Sequence, residues 1–321
     1  MLVNFILKII SSLFDLNIFK ISELKSLYDI NPCSNSFANL SITNFDFDIY
    51  SFIKCNILYI DYLKMFINNF DPVIFQVFSI EIRWYSLAYI FGIIFGWLYC
   101  KKILIKDRKI LDLFDDLIPY LIIGIILGGR LGYVIFYNLQ YYLENFLEIL
   151  MVWNGGMSFH GGLIGVVLTT IIFSKKNKIN SFIFLDLIAL VAPIGIFLGR
   201  IANFINSELY GRETDILWSV KFITVDNIAR HPSQIYEAIF EGIILFFLLN
   251  HLSKINSFKI SGLISSVFLI LYSLFRFVLE FFREPDLQIG YLAFEMTLGQ
   301  FICIIFFLLG VSLYLLKRNE N

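Results

Sequence analysis

Charge is what this chain has least of. Only 16% of its 321 residues are charged, against 58% hydrophobic, and the mean hydropathy is +0.77. That balance excludes an ordinary soluble globular domain. Cysteine and histidine are also scarce, at four and three. Cys33, Cys55, Cys100 and Cys303 are scattered without pairing or ligand spacing, and no HExxH, Cys/His cluster or Asp-rich pair exists. No metal and no cofactor are implied, and a cysteine inside an apolar helix acts as a small hydrophobe. The GxSxG elbow of a serine hydrolase is missing, as is any basic tract with interleaved aromatics, so no nucleic-acid partner is expected.

Residues 1–70 contain no Gly, Arg, His or Trp. Their opening FILKIISSLFDLNIF is interrupted by Lys8 and Asp15. It lacks the clean apolar core of a signal peptide and is too short to span a bilayer. It reads as a peripheral amphipathic piece, a poorly ordered extension, or sequence upstream of a natural start at Met65. Residues 71–321 form the expected catalytic unit.

Beyond that extension lie seven apolar stretches, roughly 84–100, 117–138, 158–174, 182–200, 235–251, 260–281 and 294–316. Each approaches the ~20 residues a spanning helix needs. Strand-like alternation that would support a barrel is absent, so the expected fold is an all-α polytopic membrane protein with about seven transmembrane helices. The fifth stretch is the least secure, because Glu237 and Glu241 sit in its first half. Lysine and arginine gather after the first helix (Lys101, Lys102, Lys106, Arg108, Lys109), after the third (Lys175, Lys176, Lys178), after the fifth (Lys254, Lys259) and at the C-terminus (Lys317, Arg318). The 138–157 segment has none. The positive-inside rule then puts the N-terminal end of the first helix outside and the C-terminus in the cytoplasm.

Three arginines interrupt this apolar background. Arg130 follows LIPYLIIGIILGG, Arg200 ends the fourth stretch, and Arg276 lies inside LISSVFLILYSLFRFVLEFFREPD. An intramembrane arginine is costly unless something pairs with it. In the last segment Tyr272, Arg276, Glu280 and Arg283 are spaced by four, four and three, which lines them along one helix face. An internal Arg276–Glu280 salt bridge is one reading. The other is a shared anion site, favoured because the nearby carboxylates look too few for three arginines and because a guanidinium binds phosphate bidentately. His160 sits in NGGMSFHGGLIG between two glycine pairs that make room for a ligand or a neighbouring helix. It is either a structural group or a proton acceptor, for which an unperturbed pKa of about 6.5 is suited. Arg230 and His231, in RHPSQIYE, read mainly as helix start and interface, with Gln234, Glu237 and Glu241 on one face. A small-anion transporter lined by the arginines is the rival from another class, but no internal repeat supports it.

Taken together, IRWYSLAY (82–89), GGRLGYVIFYN (128–138), WNGGMSFHGGLIG (153–165), GRIANFINSELYG (199–211), RHPSQIYE (230–237) and RFVLEFFREPD (276–286) resemble the prolipoprotein diacylglyceryl transferase family of the bacterial inner membrane. The resemblance implies transfer of the diacylglyceryl group of phosphatidylglycerol to the lipobox cysteine of a prolipoprotein signal peptide, at the outer face of the lipid bilayer. By residue-wise carry-over, Arg200 holds the lipid phosphate and Arg276 is the second essential cation. Asn203 and Glu208 order the headgroup site, and Glu280 and Arg283 support Arg276. Tyr85 and Tyr272 line the site, Gly211 must lack a side chain, Arg130 is supporting, and His160 is the candidate base. Ala202 and Ser207 depart from the family pattern, standing where many members have glycine.

Overall fold

Long apolar runs broken by polar caps dictate the helices. The computed structural model describes residues 66–78, 80–152, 155–255, 259–285 and 290–319. Most of the N-terminal extension, with Cys33, Cys55 and Met65, lies outside the described residues. Helix α1 (Trp84–Tyr99) continues into a π turn over Cys100–Leu104. The chain then breaks at Ile105, and the Asp107 carboxylate accepts from the Lys109 amide to start α2 (Arg108–Tyr137). A short α3 (Leu139–Glu144) and a 3-10 turn (Phe146–Leu150) follow. Ser158 caps α4 (Phe159–Lys176), whose last turn carries Lys175 and Lys176, and Asn180 caps α5 (Ser181–Ile205). Side-chain oxygens at these N-caps satisfy amides that have no partner within the helix, and the lysines complement the negative end of α4. Helix α6 (Ser233–Leu252) contains a π segment, Ala238–Ile244. Helix α7 (Leu263–Leu279) starts after Gly262, whose φ of 100° suits glycine, and α8 (Leu298–Asn319) closes the chain.

A helix therefore forms on each of the seven stretches expected from hydropathy. Among the described residues four are long and apolar enough to cross a membrane: Trp84–Leu104, α5, α6 and α8. Helix α7 is apolar but has only 17 residues, and α2 opens on the charges Arg108, Lys109, Asp112, Asp115 and Asp116. Large apolar side chains such as Ile90, Phe91, Ile94 and Phe95 on α1 and Leu308 and Leu309 on α8 face outward. Such a surface suits lipid rather than water.

The all-α expectation needs correcting in one respect. Strand β1 (Phe66–Asn68) pairs in parallel with β4 (Val220–Phe222), which pairs antiparallel with β5 (Ala229–Arg230), while β2 (Val73–Val77) and β3 (Ile80–Arg83) form a hairpin. The segments that join helices still need partners for their amides and carbonyls, and short strands supply them. Strand β1 is also tied down by Asn68, which is fully buried and donates from Nδ2 to the Phe204 carbonyl at 2.5 Å. These contacts tie residues 66–68 to the helical part of the chain.

Helix α2 packs along α4, α1 along α5, and α7 along α8. At the α2–α4 crossing a side chain on Gly132 would come 2.7 Å from the Gly161 Cα. Small residues let the two backbones touch, the usual way apolar helices associate without a hydrophobic driving force. The room around His160 is thus used, at Gly161, for a neighbouring helix. One apolar core joins α5, α6 and α7 through Leu190, Leu245, Leu249 and Ile264. A second joins α1, α2, α4 and α5 around Phe114, Phe173 and Phe184, with free Cys100 fully buried among them.

Candidate active site

Charges from three helices meet in one buried cluster. Arg200 lies near the end of α5, Glu237 and Glu241 lie in the first half of α6, and Arg276 lies near the end of α7, just before Glu280. Arg200 Nη1 is 3.0 Å from Glu237 Oε2, and its Nη2 is 3.2 Å from Glu241 Oε2. Arg276 Nη1 donates to Glu237 Oε1 and lies 3.7 Å from Glu241 Oε1, while its Nη2 is 2.6 Å from Glu280 Oε2. Both α6 carboxylates are wholly inaccessible, whereas the Arg200 side chain keeps 15% of its surface. Arg283 acts on the same charges and brings the total to three guanidinium groups against three carboxylates.

This arrangement overturns the expectation of too few carboxylates. The Arg276–Glu280 pair, the less favoured of the two readings of its spacing, is present. Glu237 and Glu241, which hydropathy marks only as the weak point of the fifth stretch, carry the missing countercharge. Two acids in an apolar helix were the signal. An unpaired buried charge costs several kcal/mol, so a pair of acids at that depth implies a pair of bases facing it. The π segment begins directly after Glu237 and carries Glu241, and such irregular turns recur at functional sites.

Other expected residues gather around the cluster. Tyr272 on α7 stands in the field of Glu241, Arg200 and Arg276. Tyr85 reaches it through Tyr89: their hydroxyls are 3.3 Å apart, and Tyr89 feels the Arg200 charge. His160, in the first turn of α4, lies within electrostatic reach of Arg276. Its ring meets Phe159 edge-on and hydrogen-bonds to no described residue.

The turn after α5 is hydrogen-bonded to the first turn of α6. Asn203 Nδ2 is 3.3 Å from Glu208 Oε2, and the Glu208 carbonyl accepts from Gln234 Nε2 at 2.6 Å. The Glu208 side chain is exposed, and among the described residues its carboxylate pairs with neither Arg200 nor Arg276. Ser207 has φ of 56°, the left-handed conformation that favours glycine. Gly211 bridges to the Arg283 backbone, and a Cβ there would lie 2.7 Å from the Phe282 carbonyl oxygen. Arg230 makes the structural contacts expected of it, and the His231 ring packs on Tyr236 and Phe282. Arg230 binds Asp226, the Gly211 carbonyl and Glu284, and its hydrogen bonds hold the Asp226 carboxyl below the usual range.

Arg130 does not join the cluster. It is 3% exposed and donates to the carbonyls of Glu148 (2.6 Å), Ile149 (2.9 Å) and Gly155 (2.5 Å), with its guanidinium over the Tyr142 ring. It clamps the α2–α4 connection. Arg130→Met should cost about 2 kcal/mol, since three part-buried carbonyls lose a charged donor. Faster amide exchange across residues 148–152 is the expected readout, and unchanged exchange there would remove this role.

A sequence profile described as prolipoprotein diacylglyceryl transferase matches residues 72–316. Among curated relatives, a phosphatidylglycerol–prolipoprotein diacylglyceryl transferase of Rickettsia bellii (strain OSU 85-389) is 49% identical over 258 residues, covering 78% of this chain and 96% of that protein. Proteins of the same name from Wolbachia pipientis of Culex pipiens (strain wPip) and Rickettsia typhi (strain Wilmington) are 49% and 48% identical. They cover 78% and 80% of this chain, and 96% and 100% of their own lengths.

Proposed function

The chain belongs to the prolipoprotein diacylglyceryl transferase family, and on that premise we propose how its buried arginine–glutamate cluster moves a diacylglyceryl group from phosphatidylglycerol to a prolipoprotein cysteine. The observation that carries the proposal is the pairing of Arg200 and Arg276 through Glu237, with the Arg200 side chain still partly accessible. A guanidinium has five N–H donors. The contacts of Arg200 with Glu237 and Glu241 engage its two terminal nitrogens and leave Nε–H and outward hydrogens for a phosphate. The glutamates thus set the planes of the two forks in advance, which avoids reorganisation when charge develops.

In the reaction the cysteine sulfur attacks the glyceryl carbon that carries the phosphate. A C–S bond forms, the C–O bond breaks, and the electron pair leaves on glycerol phosphate. The phosphodiester becomes a phosphomonoester, so negative charge grows on the side where Arg200 and Arg276 stand. His160 takes the thiol proton. The nucleophile belongs to the substrate, consistent with the chain's own Cys100 and Cys303 being buried. Tyr85 and Tyr272 line the lipid headgroup, Asn203, Glu208 and Gly211 shape its outer wall, and Arg283 and Glu280 steady Arg276.

Residues 71–321 act as the catalytic unit, with seven helices crossing the bacterial inner membrane. The N-terminal end of α1 and the site lie toward the outer face and the C-terminus in the cytoplasm. Basic clusters at Lys101–Lys109 and Lys175–Lys178 support that orientation. The decisive assay combines purified protein, phosphatidylglycerol vesicles and a lipobox peptide, following glycerol phosphate release and the peptide's gain in mass. Absence of both products with the unaltered chain would defeat the reading. In the same assay Arg200→Lys should lose about a hundredfold in kcat, because lysine offers a point charge rather than a fork. Near-normal turnover would exclude bidentate phosphate binding.

A further inference from the structure

We propose that the first turn of α8 is a positioning device for Arg276, acting through Glu280. It rests on the transferase reading above. Three contacts build it. The Thr297 amide donates to Gln300 Oε1 at 3.0 Å, and the Gln300 amide donates back to Thr297 Oγ1 at 3.2 Å. This T-x-x-Q exchange is a capping box, which satisfies two otherwise orphaned amides at the helix start. The Thr297 hydroxyl then spends its own hydrogen outside the helix, donating to Glu280 Oε1 at 3.0 Å. The other oxygen of Glu280 is the one 2.6 Å from Arg276 Nη2.

A cap alone does not need that third bond. Thr297, Gln300 and Glu280 are all buried, at 4%, 3% and 5% exposure. Gly299 completes the arrangement, since a Cβ there would lie 2.7 Å from Glu280 Oε1 and 2.9 Å from its carboxyl carbon. A side chain at 299 would push the carboxylate off its seat. The hydroxyl therefore selects one orientation of Glu280, and Glu280 then takes Arg276 Nη2 while Glu237 takes Nη1. Two pinned nitrogens define the plane of a rigid fork, so the direction of its remaining donors is set from α8. Thr297, Gly299 and Gln300 touch no reacting atom; they are positioning residues.

The test uses full-length protein in the vesicle assay. Thr297→Val keeps the shape and removes the hydroxyl, and should lower kcat by about tenfold or more with the KM for the lipobox peptide little changed, as misplaced groups cost rate rather than encounter. Thr297→Ser should return activity to within about twofold, because it keeps both hydrogen bonds. Gly299→Ala should mimic Thr297→Val by moving Glu280, and it decides the matter if the valine variant does not fold. In a double-mutant cycle, Thr297→Val in a Glu280→Gln background should cost much less than in the parent, since the two act as one unit. An active parent with Thr297→Val and Gly299→Ala both within twofold of it overturns the device and leaves the transferase reading intact. So does a serine variant as impaired as the valine one. An inactive parent instead defeats the transferase reading itself.

Discussion

Replacing Glu237 with glutamine should destabilise the protein by about 3–5 kcal/mol, the usual result of removing one partner of a buried ion pair. Glu237 is the pivot of the cluster: one oxygen faces Arg200 at 3.0 Å and the other accepts from Arg276. It is 0% exposed, so water cannot take over when its charge goes. The substitution leaves three guanidinium groups facing two carboxylates, with Arg200 and Arg276 repelling one another across a smaller countercharge. A further consequence separates this account from simple loss of packing. The surplus positive charge should be relieved by an anionic lipid, so phosphatidylglycerol should raise the thermal midpoint of the variant more than that of the parent. A zwitterionic lipid should not. Turnover should still fall, because a phosphate drawn into the place of Glu237 is no longer held for attack. An unchanged midpoint in Glu237→Gln, or equal rescue by both lipids, would mean that the carboxylate is not the counterion.

His160→Gln should change the shape of the pH profile as well as its height. With a base in place, turnover near neutrality does not depend on the small fraction of substrate thiol that is already ionised. Without one it does. A free cysteine titrates near 8.5, so the variant's rate should climb about tenfold per pH unit below that value and level off above it. The parent should be much flatter. The expected deficit is about a hundredfold to a thousandfold at neutral pH, shrinking on the alkaline side. The geometry suits the role. His160 stands half-buried in the first turn of α4, within reach of the Arg276 charge, and its ring nitrogens bond to no described residue. A constant deficit across the pH range would make His160 a structural group.

The same cluster tells what was readable in advance. Arg276 and Glu280 are four residues apart at the end of α7, and their pairing was one of two readings that spacing allowed. Arg200 and Arg276 stood out because charge is rare in such stretches. Arg130 stood out for the same reason, yet it clamps a connection through backbone carbonyls. A rare charge announces that a partner exists without saying whether it is an acid, a carbonyl or a substrate. Thr297 and Gly299 gave no signal, because threonine and glycine near a helix start are common for reasons of capping alone.

The sequence by itself determined where the helices lie. Apolar length, polar caps and breaks at Asp107, Ser158 and Asn180 are local properties, and a helix satisfies its own backbone whatever its neighbours do. It also determined the family, through motifs that any docking would preserve. Only the tertiary structure decided which charges meet. Glu241 lies 41 residues from Arg200 and Glu237 lies 39 from Arg276, distances along the chain over which helix periodicity carries no information. Short strands, the glycine contact of α2 with α4 and the hydroxyl bond from α8 to Glu280 were settled the same way. Each depends on the packing of elements distant in sequence, where the cost of leaving a buried polar group unpartnered selects the arrangement that leaves fewest alone.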